Sequence, residues 1–165
     1  HETKALVGFE KSGHFFFNPP LGRGYDDGLV AALAVCDMLE RNPSKTMADL
    51  KNALPKTWQS PTMSPHCADD MKYGVVERVT RHLSRLATDG GSLAGQPIAG
   101  ILTVNGIRIT LADGTWGLVR ASSNKPELVV VVESPTSEAM MRALFHDLDA
   151  HLATYPEVGA YNQKI

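Results

Sequence analysis

Three features of the chain predict an α+β fold, an open antiparallel sheet packed on helices, for its second half. The first is a pair of tight turns between apolar, strand-like runs. Asn105-Gly106 joins 101–104 to Ile107–Leu111 as a type I′ hairpin signal, and Asp113-Gly114 leads into Trp116–Arg120. In the first hairpin Ile107, Ile109 and Leu111 face one way while Arg108 and Thr110 face the other. The second feature is the run Val129–Val132 inside 127–133, which predicts a central strand buried on both faces. The third is a flanking helix on each side. Val76, Val79, Leu83 and Leu86 follow Asp69-Asp70, and Met141, Leu144, Phe145, Leu148 and Leu152 follow Ser134-Pro135, read as an N-cap with proline at the first helical position. Asp89–Ser92 closes the earlier helix and predicts a flexible loop reaching Pro97, while 64–68 reads as a further strand.

The first third of the chain reads differently. Ala5, Val7 and Phe9 alternate as a short strand over 4–9, and His14–Phe17 is a second one ended by Pro19-Pro20. Asp26 is placed as an N-cap, after which Leu29, Ala32, Leu33, Cys36 and Leu39 fall on one helix face. That stripe predicts a buried thiol at Cys36. Asn42-Pro43 stops the helix, and Thr46 with Asp49 forms a capping box for a short helix carrying Leu50 and Leu54. The stretch 55–65 holds three prolines, a lone Trp58 and no periodicity, so it is expected to be a linker. The expected division is therefore 1–54, a linker at 55–65, and 66–165.

Composition narrows the function. A formal charge of −2 over 165 residues gives no basic face for nucleic acid. No apolar run approaches the roughly 18 residues of a membrane span, and no secretory pattern opens the chain. Two cysteines, Cys36 and Cys67, make no disulfide framework, and the default expectation is a cytoplasmic protein. His146 and His151 are five residues apart, wrong for a metal pair on one helix face. Asp26-Asp27 could hold a cation, but two carboxylates at a helix start also serve as cap and dipole partners.

Two polar loops carry chemistry. Gly8–His14, GFEKSGH, places a carboxylate, an ammonium, a hydroxyl and an imidazole within five residues. Glu10 can accept from two neighbouring hydroxyls, Ser12 can donate or accept, and His14 titrates near neutrality, a set suited to a polyol. The same residues also fit a hairpin turn with solvated charges. The second loop follows a strand: Arg120, Ser122, Ser123, Asn124 and Lys125. Arginine offers a planar fork for two phosphate oxygens, with hydroxyls and loop N–H groups for the others. A surface turn with incidental serines is the competing account.

GFEKSGH is similar to the GE-x-SGH sugar loop of the α-D-phosphohexomutases, the phosphomannomutase/phosphoglucomutase superfamily. LVRASSNKPEL, Leu118–Leu128, resembles that superfamily's R-x-SNT-x-P phosphate loop, and Gly24–Gly28, GYDDG, matches the DDG after the sugar loop. The resemblance implies the end of domain three, mixed α/β, followed by a TATA-binding-protein-like domain four. It implies reversible phosphoryl transfer between the 1- and 6-positions of a hexose phosphate, through a bisphosphorylated sugar. Glu10, Ser12 and His14 would bind sugar hydroxyls, with His14 a candidate for proton transfer, and Arg120, Ser122, Ser123 and Asn124 would bind the non-reacting phosphate. A TASHNP-like phosphoserine loop and a DGDGDR-like magnesium loop are expected in upstream domains of a longer chain, since neither pattern occurs here. Magnesium and glucose or mannose 1,6-bisphosphate are the implied cofactor and activator, hexose phosphate the partner, and the isolated piece is expected to be inactive. Ser122-Ser123-Asn124 departs from the usual SNT but keeps the loop length. The spelling lies nearer this branch than the RPSGTEP loop of the phosphoglucosamine branch. A stand-alone sugar-phosphate-binding module would use the same residues without catalysis.

Overall fold

A computed structural model describes residues 4–10 and 13–165, which divide into two compact units, His1–Pro55 and Lys56–Ile165. In the first unit, β1 (Val7–Phe9) and β2 (Phe15–Phe17) pair antiparallel with Gly8 opposite Phe16. They lead to α1 (Gly28–Glu40) and α2 (Met47–Asn52). α2 has the expected capping box: Thr46 Oγ1 accepts from Asp49 N (3.2 Å) and Asp49 Oδ2 accepts from Thr46 N (2.8 Å). The cap of α1 is one residue later than the sequence predicts. Asp27 Oδ1 accepts from Leu29 N and Val30 N at 3.0 and 3.1 Å, because only Asp27 stands directly before the first helical turn.

The stripe read for α1 is also corrected. Leu29 and Leu33 are 72% and 62% exposed, and Cys36 is an exposed thiol. The helix turns Ala31, Ala34 and Met38 toward Phe15 and Phe17 of β2, with which they line an apolar groove. α1 is thus apolar on two faces and packs only one of them within its unit. Such a helix belongs between two layers.

The second unit contains β3 (Trp58–Gln59), α3 (Lys72–Thr88), β4 (Ser92–Leu93), β5 (Gln96–Leu102), β6 (Ile107–Leu111), β7 (Trp116–Ala121), β8 (Leu128–Ser134) and α4 (Glu138–Leu152). The strands form one antiparallel sheet in the order β3-β8-β7-β6-β5-β4. Strand alternation sends Ile107, Ile109, Leu111, Val119, Ala121, Val130 and Val132 into a core with Val75, Val79 and Leu83 of α3 and Leu144, Phe145 and Leu148 of α4. Gly117 sits under α4, where a Cβ would lie 2.7 Å from Leu148 Cδ1.

Three expectations are corrected here. The stretch 55–65 is not a free linker: β3 pairs with β8, Ser60 N donates to Val132 O and Met63 N to Val130 O. Its prolines spare it from continuous pairing, and as the edge strand it needs none. The loop expected before Pro97 contains the β4–β5 hairpin, turning at Ala94-Gly95 with both φ values positive. Ser137, not Ser134, caps α4, accepting from Met140 N at 3.1 Å. Ser134 is fully buried and bonds Thr115 Oγ1 (2.8 Å), since it is the last residue of β8. β8 itself is next to the edge, and Val131 is half-buried on the open face.

The two helices give a direct contrast. Leu144→Ala is expected to cost about 2–5 kcal/mol, the range for emptying a closed site, whereas Leu33→Ala should change the stability of this chain by less than about 0.5 kcal/mol. Urea unfolding of both variants, read at each unit, checks this.

Candidate functional site

In the second unit the site is built on the end of β7. Arg120 pairs with Val129 of β8, and Ala121 opposite Leu128 closes the hairpin. The alternation that buries Val119 and Ala121 leaves Arg120 half-buried on the open face, at the mouth of the loop. Its Nη1 donates to Ala121 O (3.0 Å), and among the described residues no carboxylate pairs with it. Ser122 is buried, while Ser123, Asn124 and Lys125 are exposed.

Backbone hydrogen bonds give this loop a polarity. Its carbonyls are used inside: Lys125 O accepts from Glu127 N (2.8 Å), and Pro126 O accepts from Cys67 N (2.9 Å). Among the described residues no hydrogen bond engages the N–H groups of Ser123, Asn124 and Lys125. Consecutive N–H groups left without a protein acceptor, beside an arginine with no acidic partner, have the donor chemistry that an anion requires.

Sequence reasoning missed one residue of this loop's surroundings. Gly106 of the β5–β6 turn has φ +77° and lies against Arg120, so a Cβ there would fall 2.8 Å from both Cα and Cβ of Arg120 and against Val119 O. Asn105-Gly106 reads as a turn signal, which it is. Its second duty, leaving room for the arginine's backbone, depends on a register that the local pattern does not state.

In the first unit Glu10 and His14 face each other across the turn. Glu10 N donates to His14 O (2.9 Å), and Gly13 N donates to Glu10 O (3.0 Å), with Gly13 at φ +92°. Ser12, expected to bind sugar hydroxyls, lies outside the described residues. The imidazole of His14 is held by Asp26: Nδ1 is 2.6 Å from Oδ2, while Oδ1 accepts from Phe15 N (3.1 Å). A carboxylate only accepts, so Nδ1 carries the proton and Nε2 is left as the ring's outward atom. The hydrogen bond to Asp26, followed by the charge of Asp26, raises the pKa of His14, and the same bond lowers that of Asp26. Asp26 was read as a cap. Two adjacent aspartates at a helix start offer one more carboxylate than a cap needs, which is the signal that could have found it.

Among the described residues no three His, Cys, Asp or Glu side chains gather as a cation would require. His82 and His151 are stacked with centroids 4.0 Å apart and planes 17° off parallel, so their in-plane lone pairs do not converge. No helix among the described residues is long and apolar enough to cross a membrane.

Fold and loops define a two-unit α/β protein with a polar loop on one unit and, on the other, a loop of unengaged N–H groups beside an arginine. The chain belongs to the phosphoglucomutase/phosphomannomutase family: residues 67–151 match that family's C-terminal domain, and residues 1–58 match its alpha/beta/alpha domain III. It is 30% identical over 141 residues to a phosphomannomutase/phosphoglucomutase of Pseudomonas aeruginosa, covering 86% of this chain and 27% of the relative. It is 32% identical over 143 residues to a phosphoglucomutase of Neisseria meningitidis, covering 86% of this chain and 28% of that protein. The crystal structure of a phosphoglucomutase/phosphomannomutase family protein from Burkholderia thailandensis shares the fold at a TM-score of 0.70 and 24% identity, over 96% of this chain and 30% of the other. The chain therefore spans less than a third of the length of these relatives.

Two outcomes follow from the geometry. The His14 ring should titrate above its ordinary value of 6.5 and fall back in Asp26→Asn, as followed by NMR of the imidazole protons. Because the folded value is raised, the pair stabilises the first unit fully below pH 6.5 and loses that contribution as pH rises through the raised value. On the Asp26 side the contribution is present above 3.8 and lost as pH falls through its lowered value. Gly106→Ala is expected to cost at least about 1 kcal/mol from its positive φ alone, and to shift the amide resonances of Arg120 and Ser122 in the same variant.

Proposed function

We propose that this chain is the substrate-holding portion of a hexose-phosphate mutase, which interconverts 1-phospho and 6-phospho sugars by way of a bisphosphorylated intermediate. The observation that carries this reading is the loop after β7. An arginine with no acidic partner and three N–H groups that no described hydrogen bond engages suit a dianionic phosphate monoester, in a family whose relatives are named for moving one. Arg120, Ser122, Ser123 and Asn124 hold the phosphate that does not react. Glu10 and Ser12 accept and donate to sugar hydroxyls, and His14 serves the hydroxyl that does react.

The chemistry asked of the second phosphate is simple to balance. A sugar hydroxyl would attack phosphorus of the phosphoserine while the serine oxygen–phosphorus bond breaks and the leaving serine oxygen takes up a proton from solvent to become a hydroxyl, and the attacking sugar hydroxyl would give up its own proton. His14 Nε2 is the acceptor for that proton in one direction and its donor in the other. Asp26 keeps Nδ1 protonated in both, so that Nε2 alone exchanges. On this reading the phosphoserine and magnesium would belong to other domains of the longer protein, as the resemblance to the family implies. The uncovered Leu29–Leu33 face of α1 is consistent with a further layer of the same domain.

Mutase assays on the longer protein carrying this sequence, with magnesium and catalytic hexose 1,6-bisphosphate, test the reading. Glucose 1-phosphate and mannose 1-phosphate should turn over. Arg120→Ala and Glu10→Ala should each lose about 10–100-fold in kcat/KM, the weight of one or two hydrogen bonds to a charged group. The 165-residue chain alone should be inert. A longer protein that binds sugar phosphates without turnover would leave a binding module instead.

A further inference from the structure

Lys72 is the one charged residue among the buried described residues, 4% exposed at the first position of α3. Three costs meet there. Its ammonium is stripped of water, it stands at the positive end of the helix dipole, and a lysine chain is held to one rotamer. An ion pair with Asp69 (Nζ to Oδ1, 2.6 Å) does not account for the burial, because the Asp69 side chain is 70% exposed and could be met at the surface. The second partner does account for it. Lys72 Nζ donates to Lys125 O (3.0 Å), the backbone carbonyl at the far side of the anion-receiving loop, which also accepts from Glu127 N.

We infer that Lys72 is a positioning residue for phosphate binding: from beneath the loop it fixes the Lys125 carbonyl inward and so holds the outward N–H groups of Ser123, Asn124 and Lys125 toward the anion. The argument is one of competition between dipoles. A carbonyl that swung outward on this loop would present a negative end to the phosphate and break the row of donors. Pro126 cannot offer an N–H in exchange, because the peptide after Lys125 has none. Buried charge at Lys72 resists that swing through a charge-assisted hydrogen bond on the side away from solvent. Met71, the N-cap of α3, makes no side-chain cap bond, and the helix start is held by Met71 N and Lys72 N donating to Ala68 O (3.0 and 2.9 Å) together with the Lys72 side chain.

This inference rests on the reading that the loop binds phosphate, and the test separates the two. The 165-residue chain is titrated with glucose 1-phosphate while the backbone amides of Ser122, Ser123 and Asn124 are followed by NMR, well below the melting temperature. Unresponsive amides in the wild type overturn the phosphate reading itself. Given a wild-type response, Lys72→Met should weaken Kd about tenfold, Lys72→Arg should recover part of it, and Asp69→Asn should stay within about twofold, because it removes the ion pair and keeps the bond to Lys125 O. Lys72→Met with wild-type Kd would overturn the inference and leave the reading standing. If Lys72→Met does not fold, the wild-type side-chain ammonium signal of Lys72 decides. It should shift with the same Kd as the loop amides, and a stationary signal overturns the inference.

Discussion

The two-residue period of β7 and β8 decides what the second unit can do. Gly117, Val119 and Ala121 must face the helices, so Trp116, Leu118 and Arg120 face away from them, and no other assignment keeps the core closed. The loop between the strands inherits its position from that register. A slip by one residue would bury the guanidinium and expose Val119. Core and loop position are therefore one constraint, and the apolar core specifies where Arg120 stands.

A comparable economy holds in the first unit, where adjacent aspartates take separate tasks. Asp27 closes the first turn of α1 with two N–H groups, and Asp26, pointing the other way, ties down the imidazole of His14 and the N–H of Phe15. The helix start and the polar loop that ends at His14 are thereby joined through neighbouring residues of one backbone. An extended N-cap residue permits this, because its predecessor's side chain is turned back toward the preceding strand.

The strands and helices of the second unit were largely legible in the sequence, because Ile107–Leu111 and the stripe from Met141 to Leu152 have periods that only one packing satisfies, whereas the continuous run Val129–Val132 marks a strand without showing that its open face is only partly covered. The sequence misled where burial depends on more than periodicity. Cys36 and Leu33 lie on a regular stripe, yet α1 is apolar on two faces and periodicity does not say which is covered within the unit. The stretch 55–65 has linker composition, but an edge strand interrupted by prolines, which accept hydrogen bonds without donating, has the same composition. Arg120 and its loop were found by chemistry and motif together. Asp26, Gly106 and Lys72 were not, because each acts through a residue distant in sequence, at separations that neither a helical nor a strand period encodes.

What unites those three residues is that each fixes a polar group that local structure alone would leave free to turn. Asp26 selects one imidazole tautomer, Gly106 admits the backbone of Arg120 beside a tight turn, and Lys72 holds a carbonyl inward. Exposed loops are the most mobile part of a fold, and a receptor assembled only from loop residues would lose much of its binding energy in ordering them. Restraints on α3 and on the β5–β6 turn in the second unit, and at the start of α1 in the first, each transfer that cost to folding in their own unit. On the proposed reading, the loop after β7 would meet phosphate with its donors already aligned, the condition under which charge-assisted hydrogen bonds contribute most to orientation.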